Sequence, residues 1–184
     1  MNEQRLMRLS KLLSYVLRHK PEEFDVALDG AGWTDVVALL AALDRHGATF
    51  TRRDLAELLD RPGKRRFELS ADGRSIRASY GHSVAVDLGL PPAEPPEELF
   101  HGTVAESLAA IRADGLKPGQ RQLVHLSGTR REAEIVASRR GNPIVLVVRA
   151  AEMRRAGQVF HRAPAGIWLT TSVPPQFLVF PGDV

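Results

Sequence analysis

Leucine and valine recur at intervals of three and four along the start of the chain, at Leu6, Leu9, Leu12, Leu13, Val16 and Leu17. That period puts them on one face of a helix, with basic and polar residues on the other. Pro21 disfavours helical geometry at Lys20, so the helix is expected to end near His19. A second helix is expected after Trp33, capped by Thr34 or Asp35, with Val36, Val37, Leu39, Leu40 and Leu43 inward. Thr51 and Asp54 have the spacing of a capping box and open a third helix through Leu55, Leu58 and Leu59. Residues 66–69 and 75–78 flank an Asp72-Gly73 turn, which is the pattern of a hairpin. Trp33 and Trp168 read as core anchors.

After residue 90 the pattern changes. The segment Leu90-Pro-Pro-Ala-Glu-Pro-Pro-Glu-Glu-Leu99 can continue neither a helix nor a central strand, and reads as an extended, fairly stiff connector. It divides the chain into residues 1–92 and 93–184. Beyond it, short apolar strands are expected at 99–102, 124–126, 144–148, 159–160, 167–170 and 177–180. Helices are expected over 105–113, with Leu108 and Ile111 inward, and over 130–138, opened by a Thr129–Glu132 capping box. Few residues remain for helices after 150. The pattern is that of an α+β protein and not of a doubly wound sheet. Three short helices and a hairpin make the first half winged-helix-like, and a helix and a wing are both able to read a polyanion.

Composition narrows the chemistry. The chain has 184 residues, 43% hydrophobic, enough for real cores, and no cysteine. Thiolate nucleophiles, disulfides and cysteine-based zinc sites are thereby excluded. The start of the chain is unlike a signal peptide, and no run nears the roughly 20 apolar residues of a membrane span. The expected location is cytoplasmic. Formal net charge is only +3, and residues 1–90 are nearly balanced, with 14 Lys/Arg against 13 Asp/Glu. Broad affinity for duplex DNA is not indicated. Local density says more: Arg61, Lys64, Arg65, Arg66, Arg74 and Arg77 gather along one short segment.

Candidate site residues stand in three polar islands, at 17–21, 64–69 and 120–127, and at the end of one strand. Arg18 and His19 end the first helix, where an arginine can clamp a phosphate through paired donors and a histidine can hold or move a proton. Arg66 precedes Phe67; if Phe67 points inward, Arg66 points away from that core. Arg121 leads into the strand holding His125 and Ser127, which share a face opposite Val124 and Leu126. His101, Gly102 and Thr103 end a strand, and glycine there lets a ligand or another backbone approach closely. Chemistry alone leaves each of these open between ligand contact and ordinary structural or surface role. The six histidines are scattered, with no paired spacing, so no metal site is expected.

Taken in order, these islands resemble one family, the NAD-using tRNA 2′-phosphotransferases. The resemblance runs over nearly the whole chain. It is carried by Leu17-Arg-His-Lys-Pro21, Lys64-Arg-Arg-Phe-Glu-Leu69, Gly81-His-Ser83, His101-Gly-Thr103, Arg121 with Val124-His-Leu-Ser127, Gly166-Ile-Trp-Leu-Thr170 and Val173-Pro-Pro175. It implies an N-terminal winged-helix-like RNA-binding lobe and a C-terminal ADP-ribosyltransferase-like NAD-binding lobe. It implies a catalytic quartet of Arg18, His19, Arg66 and Arg121, with His101, Gly102, Thr103, His125 and Ser127 on the NAD side. The implied reaction moves an internal RNA 2′-phosphate to NAD through an ADP-ribosylated RNA phosphate, giving 2′-hydroxyl RNA, nicotinamide and ADP-ribose 1″,2″-cyclic phosphate. The implied partner is RNA bearing a 2′-phosphate, with no membrane and no obligate protein partner, as for a monomer. The alternative is an NAD-dependent ADP-ribosyltransferase acting on terminal phosphates of nucleic acid. Two positions depart from the family pattern: Tyr80, where glutamine is common, and Arg140, where histidine is common. Neither is expected to touch the quartet; altered substrate contacts are the expected consequence.

Overall fold

The computed structural model describes residues 3–62 and 65–183. Lys64, one of the expected basic cluster, lies outside them. Among the described residues the protein is a mixed α/β structure of six α-helices and three small antiparallel sheets. It divides into two compact units, Met1–Gly89 and Leu90–Val184.

In the first unit, α1 (Glu3–Arg18) buries Leu6, Leu9, Leu13, Val16 and Leu17 at 3% exposure or less. Each such burial contributes roughly 1.5–3 kcal/mol. The backbone N–H groups of His19 and Lys20 both donate to the Tyr15 carbonyl at 3.0 Å, closing the last turn. Pro21 then opens a short 3-10 turn, Pro21–Phe24. β1 (Thr34–Asp35) leads into α2 (Val36–Arg45), capped by Asp35, whose carboxylate accepts the Ala38 N–H at 2.8 Å. Val37 is 60% exposed, contrary to the sequence expectation. One residue step turns about 100° around a helix, and with Val36 and Leu39 inward Val37 faces out. α3 (Arg52–Leu59) starts with the expected capping box. Thr51 Oγ1 accepts the Asp54 N–H at 3.1 Å, and Asp54 Oδ2 accepts the Thr51 N–H at 2.8 Å.

β2 (Phe67–Leu69) and β3 (Ser75–Ala78) form the hairpin, and β1 adds to β3, giving the order β1-β3-β2. Phe67 and Ile76 point into the core shared with α1 and α2. Trp33 is half-buried and lies outside that core. The Arg77 guanidinium covers its ring at 4.4 Å.

The second unit holds β4 (Leu99–Thr103), α4 (Leu108–Asp114), β5 (Val124–Leu126), α5 (Arg130–Ala137), β6 (Ile144–Val148), α6 (Ala150–Arg155), β7 (His161–Arg162), β8 (Trp168–Thr170) and β9 (Leu178–Val179). They form two sheets, β4-β6-β9 and β5-β8-β7. Leu99, Leu126, Leu146, Met153, Phe160 and Trp168 are among the residues of one core. Leu108 and Ile111 face it as expected, although a 3-10 turn, Ala105–Ser107, replaces the first part of the anticipated helix. Helix α6 was not anticipated. It buries Ala150 and Met153, three residues apart on one face. The strand expected at 159–160 lies two residues later, because Phe160 is core and His161 pairs with Leu169.

The proline segment is also different from a free connector. Pro92 bridges His161, the Ala93 N–H donates to the Phe160 carbonyl at 2.8 Å, and His161 Nδ1 donates to the Leu90 carbonyl at 2.8 Å. Prolines fit here because an edge segment can leave its donor side unpaired. Residues 90–92 therefore belong with the second unit. No described helix is long and apolar enough to cross a membrane.

Candidate functional site

Three of the four candidate catalytic residues lie in the first unit, where the fold sets the backbone of Arg66 beside Arg18 and His19 at the end of α1. Arg18 ends α1 and is only 8% exposed. Its guanidinium lies 4.7 Å from the Tyr80 ring and 5.8 Å from the Phe67 ring. Arg18 Nη2 donates to the Arg66 carbonyl at 3.3 Å, and the Ser79 N–H donates to the same carbonyl at 2.9 Å. Arg66 is thereby tied to the end of α1 and to the strand partner of its own hairpin. Its neighbour Arg65 is exposed, whereas Arg66 is half-buried; strict alternation about Phe67 would place them the other way round, and β2 begins only at Phe67, so it does not govern these two residues.

His19 follows Arg18 and is half-buried. Its Nδ1 lies 3.0 Å from Ser83 Oγ. The Arg18 carbonyl accepts from the Ser83 N–H at 2.8 Å and the Val84 N–H at 3.3 Å. This approach depends on Gly81, whose φ of +88° is open to glycine and strained for other residues. It turns the chain out of β3 so that residues 80–83 run beneath the end of α1.

His82 is buried among these groups at 3% exposure, and its Nε2 has no hydrogen-bond partner. Its pKa is pushed down to about 4, chiefly by burial and further by the charges of Arg18, His19 and Arg77. It is a neutral wall of the site. His82 and Ser83 were not singled out as site residues by sequence reasoning, although the Gly81-His-Ser83 motif marked the place. The expectation that Tyr80 stands clear of the quartet is corrected by its stacking on Arg18.

The expected basic cluster is partly spent. Arg77 pairs with Glu68 at 2.6 Å and donates to the Ala31 and Leu88 carbonyls. Arg61 pairs with Glu3 at 3.3 Å, and Arg74 sits 3.9 Å from Asp72. Arg77 is a clamp between the hairpin, Trp33 and the loop at 88, not a surface phosphate reader.

The remaining candidates lie in the second unit. Arg121 is exposed, in the turn before β5, with its N–H on the Pro118 carbonyl at 3.3 Å. Phe100 and Ser127 exchange backbone hydrogen bonds of 3.0 and 2.8 Å, which seats β5 beside β4. His101 and His125 become neighbours in consequence: His101 Nδ1 donates to the His125 carbonyl at 3.3 Å, and His125 Nδ1 donates to the Leu123 carbonyl at 2.9 Å. Burial holds the His101 pKa below its ordinary value, and the charge of Arg140 acts in the same direction. Its ring is thus a neutral imidazole with Nε2 as an acceptor. Arg140, the second departure from the family pattern, therefore acts electrostatically on His101. Thr103 and Ser127 are both buried.

Gly102 has a different part. Alternation along β4 sets it on the face opposite His101 and Thr103. A Cβ there would come within 2.0 Å of the Ala133 carbonyl oxygen. The close approach that requires glycine at this position is that of α5, which Gly102 seats. Among the described residues no group of three or more His, Asp or Glu is placed to hold a metal ion.

A family model described as "RNA 2'-phosphotransferase, Tpt1 / KptA family" matches residues 4–172. A "Probable RNA 2'-phosphotransferase" of Streptomyces coelicolor is 50% identical over 181 residues, covering 98% of each chain. Proteins of the same name from Agrobacterium fabrum and Pseudomonas aeruginosa are 49% and 46% identical, covering 95% and 97% of this chain and 94% and 98% of their own.

Proposed function

The chain belongs to the RNA 2′-phosphotransferase, Tpt1/KptA, family, and we propose that it removes an internal RNA 2′-phosphate by transferring it to NAD, which is consumed as a substrate. On this reading the first unit is a winged-helix-like RNA-binding lobe, and the second is an ADP-ribosyltransferase-like lobe that binds NAD. The observation that supports the reading is that the Arg18 guanidinium meets the backbone of Arg66 next to His19 at the end of α1, with Glu68 engaged by Arg77. Such an arrangement suits a phosphate dianion, which needs donors and no strong base.

In the first step a 2′-phosphate oxygen attacks C1″ of the nicotinamide ribose. The C1″–N bond breaks, and its electron pair returns to the ring, which leaves as neutral nicotinamide. The task of the protein here is placement. In the second step the ribose 2″-oxygen attacks phosphorus and its proton passes to solvent. The bond from phosphorus to the RNA 2′-oxygen breaks, and that oxygen takes a proton from His19. ADP-ribose 1″,2″-cyclic phosphate and 2′-hydroxyl RNA result. Arg18 and Arg66 hold the phosphoryl oxygens as charge grows on them, each worth roughly 100-fold in rate, and Arg121 is the remaining arginine of the proposed quartet.

The second unit suits NAD on its own observations. The acceptor Nε2 of neutral His101 can take a hydroxyl or amide proton, and Thr103, His125 and Ser127 add polar atoms on neighbouring strands. Gly102, between His101 and Thr103 in the sequence of the same strand, seats α5.

The test is incubation of the protein with a short RNA bearing one internal 2′-phosphate, with and without NAD, the products resolved by mass. Loss of the 2′-phosphate only with NAD, together with nicotinamide and the cyclic phosphate, supports the reading. RNA left unchanged in both, or phosphate lost without NAD, sinks it. A stable ADP-ribosyl phosphate would favour the transferase that stops after the first step.

A further inference from the structure

We infer that Ser83 is a positioning residue that commits the His19 imidazole to exchanging its proton at Nε2. Ser83 Oγ stands 3.0 Å from His19 Nδ1 and 3.3 Å from the Arg18 carbonyl oxygen. A hydroxyl gives one proton and accepts in return. When His19 is an imidazolium, both ring nitrogens carry protons, so Nδ1 donates to Ser83 Oγ and the hydroxyl proton turns to the Arg18 carbonyl. That carbonyl lies at the C-terminal end of α1, the negative pole of the helix. The relay therefore carries stabilisation from the helix end to the cationic ring. Once Nε2 gives up its proton, Nδ1 keeps its own, and the ring stays in the Nδ1–H tautomer.

The backbone holds this device in place. The Ser83 N–H donates to the Arg18 carbonyl at 2.8 Å, so the serine is anchored to the residue that precedes the histidine. Gly81 provides the turn that brings it there across 64 residues of sequence. A short side chain at this anchor fixes both the distance to the ring and the direction in which Nε2 points.

The inference deepens the proposed function and rests on His19 handling the proton of the departing 2′-oxygen, but its first test does not use the reaction. The full chain is labelled with 15N in its histidine rings and observed by long-range 1H–15N NMR without substrate, His19 being assigned with His19→Gln. At a pH where the ring is neutral, His19 is expected to carry its proton on Nδ1. Ser83→Ala moves the population toward Nε2–H, and Ser83→Thr restores it. An Nε2–H ring in the native protein, or an unchanged tautomer in folded Ser83→Ala, overturns the inference. The second test uses RNA bearing a 2′-phosphate, with NAD, in a single turnover. Ser83→Ala slows release of 2′-hydroxyl RNA about tenfold, the scale of one hydrogen bond to a charged group, and leaves nicotinamide release within about twofold; Ser83→Thr recovers the rate. Equal slowing of both steps, or no recovery with threonine, also overturns it. The predicted tautomer in a protein that transfers no phosphate would sink the proposed function alone.

Discussion

Replacing Tyr80 with leucine is expected to slow phosphate transfer by about five- to thirtyfold. The Tyr80 ring centroid lies 4.7 Å from the Arg18 guanidinium carbon, inside the roughly 6 Å range of a cation–π contact. Arg18 is only 8% exposed, so the contact is largely desolvated and is worth about 1–2 kcal/mol. That energy converts to the stated factor if it is lost in full when the phosphate is held in the transition state. The Phe67 ring at 5.8 Å is a weaker second platform and caps the loss at that level. Leucine keeps the site apolar, and Tyr80→Phe keeps the ring, so the phenylalanine variant stays within about threefold of the native rate. The assay is single-turnover conversion of a 2′-phosphorylated RNA with NAD, alongside urea unfolding to confirm that both variants fold. A leucine variant at the native rate, or a phenylalanine variant as slow as the leucine one, would refute the reasoning.

Three further outcomes follow from the same geometry. Gly102→Ala forces a methyl group onto the Ala133 carbonyl and should cost the second unit about 3 kcal/mol or more, read as a lower urea midpoint, with no loss if α5 is not seated there. His82 has a folded pKa of about 4, below its ordinary 6.5, so it contributes stability above pH 6.5 that is lost as pH falls toward 4. That loss is at most about 3 kcal/mol; His82→Leu should show a smaller drop in urea midpoint between pH 7.5 and 4.5, and an equal drop would contradict the assignment. Arg121→Ala and His19→Ala should each accumulate an ADP-ribosylated RNA phosphate, seen by mass, and unchanged release of the cyclic product from both would defeat their roles.

Local rules were enough for much of the fold. The face of α1, its stop before Pro21, the Thr51–Asp54 box and the two strands of the hairpin all depend on neighbours within a few residues. What was not legible depends on distant partners. Val37 looked like core because its neighbours are, and only the packing of α2 decides which valine turns inward. Helix α6 is too short for its period to show, and its two buried residues define it only against the rest of the core. A glycine at 102 announces that something comes close, but not that the something is the backbone of α5.

The site divides in the same way. Arg18, His19 and Arg66 stand in motifs, and in the first unit the Arg18 side chain meets the Arg66 backbone. A run of arginines does not reveal which are already paired, and Glu68, Asp72 and Glu3 take up Arg77, Arg74 and Arg61. Tyr80 looked remote because it follows Arg18 by 62 positions; the turn at Gly81 and the return of β3 beneath α1 set its ring on the guanidinium. Ser83 was visible only as a letter in a motif until its hydroxyl was found beside His19.

The central claim is that one phosphoryl group passes whole from RNA to NAD. The direct measurement follows a radioactive phosphorus placed at a single internal 2′-phosphate. The account predicts that the label leaves the RNA only when NAD is present and is recovered in ADP-ribose 1″,2″-cyclic phosphate. Label recovered as inorganic phosphate, or retained on the RNA after nicotinamide has been released in full, would contradict it.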